Sequence, residues 1–73
     1  MTNFTRTQRI NLHFYSLLKC GADPIALYGS PSNFRLSFDK MSDAAIEVVN
    51  QDDAEHLAEI GLTLEDIARI YEI

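Results

Sequence analysis

Apolar and polar residues alternate in a short segment near the middle of the chain. Within residues 34–39 the bulky apolar side chains occupy every second position: Phe34, Leu36 and Phe38. In an extended strand all three lie on one face. Residues 45–50 are rich in β-branched side chains, which favour strands. Since only residues 40–44 separate the two segments, the pattern predicts an antiparallel β-hairpin.

Helical spacing predicts a helix before this hairpin. Thr5, with Gln8 three residues later, matches a capping box in which each residue bonds the other's backbone. Apolar residues then recur at i, i+4, i+7 and i+8, namely Ile10, Phe14, Leu17 and Leu18. Gly21 and the pair Asp23-Pro24 are typical of a helix end. The first predicted helix therefore begins after Thr5 and ends near Gly21.

The sequence pattern of two segments fits both a helix and a strand. Ile10, Leu12 and Phe14 also alternate as a strand face would, although a run of about a dozen residues without Gly or Pro is longer than most strands. Residues 24–28 form a short apolar run that fits a third strand or a single helical turn. Residues 29–33 combine Gly, Pro, Ser and Asn, and predict a loop.

Two helix start signals follow the hairpin. Asp52, with Glu55 three residues later, predicts a helix to about Ile60, and Gly61 fits a left-handed C-terminal cap. Thr63 predicts the start of another helix, whose apolar stripe is Leu64, Ile67, Ala68 and Tyr71. The expected fold class is therefore α+β: a small antiparallel β-hairpin or three-stranded sheet packed by an N-terminal helix and two short C-terminal helices.

Length and composition limit the class of protein. With 73 residues, 47% of them hydrophobic, we expect one small protein-binding domain over residues 1–73 that buries roughly 60% of its unfolded surface. The single cysteine, Cys20, excludes an internal disulfide. No apolar run approaches the roughly 18 residues of a membrane span, and residues 1–8 are polar, unlike a signal peptide. We therefore expect a cytoplasmic protein.

The net charge of −5 is unevenly distributed along the chain. Residues 1–40 hold five basic and two acidic residues, for +3, whereas residues 41–73 hold one basic and nine acidic residues, for −8. Arginine is a frequent hot spot of protein interfaces, so the candidates for partner binding are Arg6, Arg9 and Arg35. The alternative is that these are ordinary solvated side chains. The acidic half is either a solubility device or a mimic of nucleic-acid phosphates.

Few sets of residues have the spacing that catalysis requires. Asp52, His56 and Glu59 have a spacing that puts two carboxylates and an imidazole on one helical face, where a divalent metal binds in some proteins, but a solvated acidic face is the more common case. Cys20 and His13 are seven residues apart, about 10 Å along a helix and beyond hydrogen-bond reach. The three glycines are scattered, so no phosphate loop exists. We expect no enzyme activity, no catalytic residue, no metal and no cofactor.

Residues 61–71 resemble the first helix of a helix-turn-helix motif. A DNA reader needs a turn and a recognition helix next, whereas only two residues follow and the surrounding half of the chain is strongly acidic. Phosphates repel such a surface. We therefore expect no direct sequence-specific nucleic-acid binding, and a DNA-binding regulator with a partial helix-turn-helix stays as the alternative.

As a whole the chain resembles the small phage-encoded transcription regulators that bind RNA polymerase, of the kind found in a lytic Xanthomonas phage. The opening Met1-Thr2-Asn3-Phe4-Thr5-Arg6, the length and the basic-then-acidic layout carry this resemblance. It implies binding to the host polymerase around the β′ N-terminal region and the β flap. It also implies displacement of σ, which inhibits initiation, and antitermination at intrinsic terminators. No functional residue is transferred from that family.

The expected function is therefore that of a monomeric, non-enzymatic transcription regulator. Its partner would be a host protein complex, bacterial RNA polymerase, with no membrane involved. A generic small protein-interaction module is a further alternative, because a scaffold of this size with few reactive groups can act by occupying a surface of a larger protein.

Overall fold

The structure, a computed structural model, describes residues 3–73. These residues form five helices. They are α1 (Arg6–Lys19), α2 (Pro24–Tyr28), α3 (Pro31–Phe38), α4 (Asp43–Ala58) and α5 (Leu64–Ile70). These residues form no strand, so the prediction of an α+β fold with a β-hairpin is wrong. Across the same residues, no helix combines the length and the apolar character needed to cross a membrane.

Each helix begins at a side chain that accepts a hydrogen bond from the backbone of its first turn, which satisfies an otherwise unpaired N–H group. The capping residues are Thr5, Asp23, Ser30, Ser42 and Thr63. The predicted starts at Thr5 and Thr63 are confirmed, and Thr5 forms the predicted capping box with Gln8. Residues 10–18 and 24–28, left open between helix and strand, are both helical.

The first strand of the predicted hairpin is instead the helix α3. Phe34 and Phe38 are one helical turn apart and both buried, while Leu36 between them is 63% exposed. In a segment of five residues, one face of a strand and an i, i+4 pair of a helix both place apolar residues at the first and last positions. The sequence pattern therefore fits a strand and a helix equally well. Residues 29–33 are not one loop, because Ser30 caps α3 and Pro31 is its first residue.

The second predicted strand belongs to α4, which begins nine residues before the predicted start at Asp52. The Ser42 hydroxyl accepts a hydrogen bond from the Ala45 N–H at 3.1 Å, and the helix continues without a break to Ala58. Asp52 is therefore an internal residue of α4 rather than an N-cap. The predicted end is close, since Gly61 has a φ of +76°, a conformation that glycine adopts without a steric cost.

α1 contributes buried residues to two separate apolar clusters. Ile10 packs with Phe34, Phe38 and Ile46, whereas Leu12 packs with Leu57 and Ile67. Two residues along a helix are rotated by about 200°, so these side chains leave opposite sides of α1. Of the predicted stripe, Phe14 and Leu17 pack on the first cluster, and Leu18 is 38% exposed.

α5 closes the second cluster. Ile67 is fully buried, and the rest of its predicted stripe packs partly buried around it, namely Leu64, Ala68 and Tyr71. The Tyr71 ring stacks on Tyr15 of α1 with centroids 4.3 Å apart and planes at 13°. This stripe was predicted correctly because the start signal and the spacing are both local.

The helical form of residues 34–38 predicts unequal effects of two substitutions. Phe34→Ala should lower the free energy of unfolding by about 3–5 kcal/mol because it leaves a cavity in the first cluster. Leu36→Ala should change it by less than about 0.5 kcal/mol because that side chain is exposed. Urea denaturation followed by circular dichroism measures both, and comparable losses would contradict the helix.

Candidate functional site

Arg6 contacts the residues that join α3 to α4. Its Nη1 donates to Asp43 Oδ1 at 2.8 Å, and its Nη2 donates to the Phe38 carbonyl at 2.8 Å and the Asp39 carbonyl at 3.1 Å. A cation at the C-terminal end of a helix is favourable because the last carbonyl groups lack partners within the helix. The guanidinium of Arg6 is therefore engaged inside the protein.

Arg9 contacts α4 instead. Its Nη1 donates to Asn50 Oδ1 at 3.4 Å, and Asn50 Nδ2 donates to the Arg9 carbonyl at 3.0 Å. Its Nη2 lies 3.9 Å from Glu47 Oε1. Since Asn50 is 1% exposed, this reciprocal pair satisfies a buried amide and connects α1 to α4.

Arg35 lines a recess between α1 and α3. The recess has a volume of about 280 Å³, and its other lining residues are Asn11, Phe14, Tyr15 and Pro31. Within residues 3–73, the exposed Arg35 has no side-chain hydrogen bond or ion pair. Arg35 therefore differs from Arg6 and Arg9, whose guanidinium groups have partners within the protein.

The walls of this Arg35 recess are aromatic rings held by other rings. Phe14 contacts Tyr15 and Phe34 edge to face, with centroids 5.2 Å and 5.1 Å apart, and Tyr15 stacks on Tyr71. Such contacts restrict the rings, so the recess exists before any ligand enters it. A cation, an amide and apolar walls suit a carboxylate carried on an apolar stem.

Sequence reasoning missed Asn11, Phe14 and Tyr15 as members of a site with Arg35. Phe14 was assigned to the core stripe, and neither Asn11 nor Tyr15 was singled out. Nothing local in the sequence indicates that these residues lie beside Arg35, because the recess exists only where α1 and α3 meet.

Exposed apolar side chains also lie on α2 and α3. These two helices pack together through Tyr28 and Phe34, whose ring centroids are 5.0 Å apart. Leu27 of α2 is 69% exposed and Leu36 of α3 is 63% exposed. Neither leucine is among the residues that line the Arg35 recess.

A buried acid, Asp53, and a partly buried base, His13, connect α1 to α4. His13 Nδ1 lies 2.9 Å from each carboxylate oxygen of Asp53, and the imidazole stacks on Phe34 with centroids 5.6 Å apart. Burial raises the pKa of the Asp53 carboxyl above its usual value, and the bond to His13 opposes that rise. In the sequence, Cys20 is the nearest candidate partner of His13, and no local signal connects His13 to a residue forty positions away.

Of the three residues with a metal-binding spacing, Asp52 and His56 form a contact between successive turns of α4. His56 Nδ1 lies 2.9 Å from the Asp52 carbonyl and 3.8 Å from its carboxylate, and these contacts raise the pKa of His56. Glu59 is the C-cap residue of α4. In residues 3–73, no three His, Cys, Asp or Glu side chains lie close enough together to hold one metal ion.

Comparison with known proteins adds no relative to these observations. No family model matches the chain, and neither a curated protein nor a solved structure is similar to it. The geometry of the described residues therefore carries the functional argument.

The contacts of Arg6 predict a role in stability that Arg35 does not share. Arg6→Ala should lower the free energy of unfolding by about 1–3 kcal/mol, because two backbone carbonyls and a carboxylate lose a charged donor. Arg35→Ala is the matched control, and should change it by less than about 0.5 kcal/mol. Thermal and urea denaturation of both variants measure this, and an unaffected Arg6→Ala protein would show that these bonds contribute nothing.

The raised pKa of Asp53 predicts a pH dependence with a definite sign. The native state holds the carboxyl proton more tightly than the unfolded chain, whose reference pKa is 3.8. Ionisation therefore costs stability as the pH rises from that value through the native pKa. The free energy of unfolding of the wild type, relative to Asp53→Asn, should fall as the pH rises above the reference value of 3.8 and through the raised native pKa.

Urea titrations at several pH values measure this difference. Glu55→Gln, which neutralises an exposed carboxylate on the same helix, is the control for a general change of charge on α4. A difference between wild type and Asp53→Asn that stays constant or grows with pH would contradict the assignment.

Proposed function

We propose that this protein is a non-enzymatic interaction module that binds an acidic site on a larger protein through the Arg35 recess. One observation carries the proposal. Arg6 and Arg9 make their hydrogen bonds inside the protein, whereas the guanidinium of Arg35 has no such contact within residues 3–73 and lies beside a preformed recess.

The proposed contact is an Asp or Glu side chain of the partner that enters the recess. Arg35 donates two parallel hydrogen bonds to its carboxylate, and Asn11 offers an amide donor at the same site. The rings of Phe14 and Tyr15 exclude water from the ion pair, which strengthens it. An Arg side chain beside aromatic rings is an arrangement typical of interface hot spots.

The proposed partner is bacterial RNA polymerase, on the strength of the whole-chain resemblance to phage regulators. In that setting a monomer acts in the host cytoplasm, occupies a surface needed by σ, and thereby inhibits initiation. The same occupancy promotes antitermination. The acidic second half, with −8 over residues 41–73, supports this proposal because it repels nucleic acid and orients the molecule by its charge.

Direct binding to purified core polymerase tests the proposal. Arg35→Glu should weaken binding by at least about tenfold, because it removes a candidate hot spot and places two like charges together. Lys40→Glu is the matched control, since it makes the same change of charge at an exposed residue after α3. Its effect should stay within about threefold.

Surface plasmon resonance at two salt concentrations measures both variants. Equal losses of affinity in Arg35→Glu and Lys40→Glu would show that the recess is not the docking site. If the wild-type protein fails to bind polymerase at either salt concentration, polymerase is not the partner. Tight binding to duplex DNA would favour the DNA-binding alternative.

A further inference from the structure

The Arg35 recess contains a second polar side chain without a partner in the protein. Asn11 of α1 lines the recess together with Arg35, and within residues 3–73 neither side chain makes a hydrogen bond. Asn50 is the contrast, because its amide donates to the Arg9 carbonyl and accepts from the Arg9 guanidinium. The amide of Asn11 therefore has hydrogen-bonding capacity that the fold itself does not use.

The two unpartnered side chains require different groups from a ligand. The guanidinium of Arg35 only donates, whereas the amide of Asn11 donates through its NH₂ group and accepts through Oδ1. A carboxylate only accepts, so it satisfies Arg35 but offers nothing to Asn11 Oδ1. A ligand that satisfies both side chains carries a carboxylate and, near it, an N–H group.

An acidic residue of a peptide carries both groups, and its conformation decides whether the N–H group is available. Inside a helix each backbone N–H group is already bonded to the carbonyl four residues earlier. In an extended segment the N–H and C=O groups of one residue point to the same side of the chain, where both can bond one partner. An extended acidic residue therefore matches the amide of Asn11 as well as the charge of Arg35.

The remaining walls of the recess are compatible with such a segment. No Asp or Glu lines the recess, so none of its lining residues repels a carboxylate. Phe14 and Pro31 offer apolar surface to the methylene groups of an acidic side chain. An extended chain takes about 5 Å in its hydrogen-bonding direction, against about 10–12 Å for a helix with its side chains, so its peptide groups come closer to the recess.

We propose that the Arg35 recess recognises an Asp or Glu residue in an extended peptide segment, with the carboxylate on Arg35 and the backbone N–H group on Asn11 Oδ1. The NH₂ group of Asn11 donates to the backbone carbonyl of the same residue. This inference rests on the proposed function, since it specifies the form in which the acidic site of the partner enters the recess. Asn11 is then the residue that distinguishes an extended segment from a helix.

Titration of the full chain with a short blocked peptide, one glutamate with two threonines on each side, tests the inference, because threonine favours an extended chain. Amide chemical shifts in ¹H–¹⁵N NMR spectra should change saturably at residues 11–15 and 31–35. A glutamine analogue, which lacks the charge, should bind at least about tenfold more weakly. An analogue with an ester oxygen in place of the glutamate N–H group should bind about fivefold more weakly.

Three variants identify which side chain reads which group. Asn11→Ala should reduce the difference between the amide and ester peptides to within about twofold and keep the preference for glutamate over glutamine. Arg35→Gln should do the reverse. Asn33→Ala, the same change at an exposed residue of α3 that does not line the recess, is the matched control and should keep both differences. Thermal denaturation verifies that each variant is folded.

The two peptide analogues separate failure of this inference from failure of the proposed function. If the ester analogue binds as tightly as the parent while the glutamine analogue binds more weakly, the recess is an acid site that does not read the peptide group, and this inference is wrong. A difference between amide and ester that persists in Asn11→Ala would also overturn it. Equal binding of the glutamate and glutamine peptides, or shifts that do not saturate, would overturn the proposed acid site itself and this inference with it.

Discussion

The fold depends on the burial of two opposite sides of α1. Ile10 and Leu12, only two residues apart, enter different apolar clusters, and every other helix packs against α1. A chain of 73 residues has little apolar surface to bury, and a central helix surrounded by the other four uses that surface efficiently. The two clusters therefore depend on one element, and a break in α1 would open both.

Polar contacts then fix which side of α1 faces α4. His13 contacts Asp53, Arg9 exchanges hydrogen bonds with Asn50, and Arg6 contacts Asp43 at the first turn of α4. The contacts of Asn50 and Asp53, which are buried, favour one arrangement because any other leaves a buried donor or charge unsatisfied. Arg6 and Asp43 are more exposed and contribute less. These contacts also give Arg6 and Arg9 partners within the protein.

The sequence by itself determined the features that depend on a few neighbouring residues: the helix starts at Thr5 and Thr63, the turn at Gly61 and the stripe of α5. It did not determine α3, because the spacing of Phe34 and Phe38 fits both a strand and a helix over so short a segment. It also did not determine the start of α4, which is capped by Ser42 rather than by Asp52. Tertiary structure alone decided that Arg35 has no side-chain partner within residues 3–73, and which residues surround it. The physical reason is distance along the chain, since the partners of Arg6 and Arg9 lie more than thirty residues away and become neighbours only when α1 packs against α3 and α4.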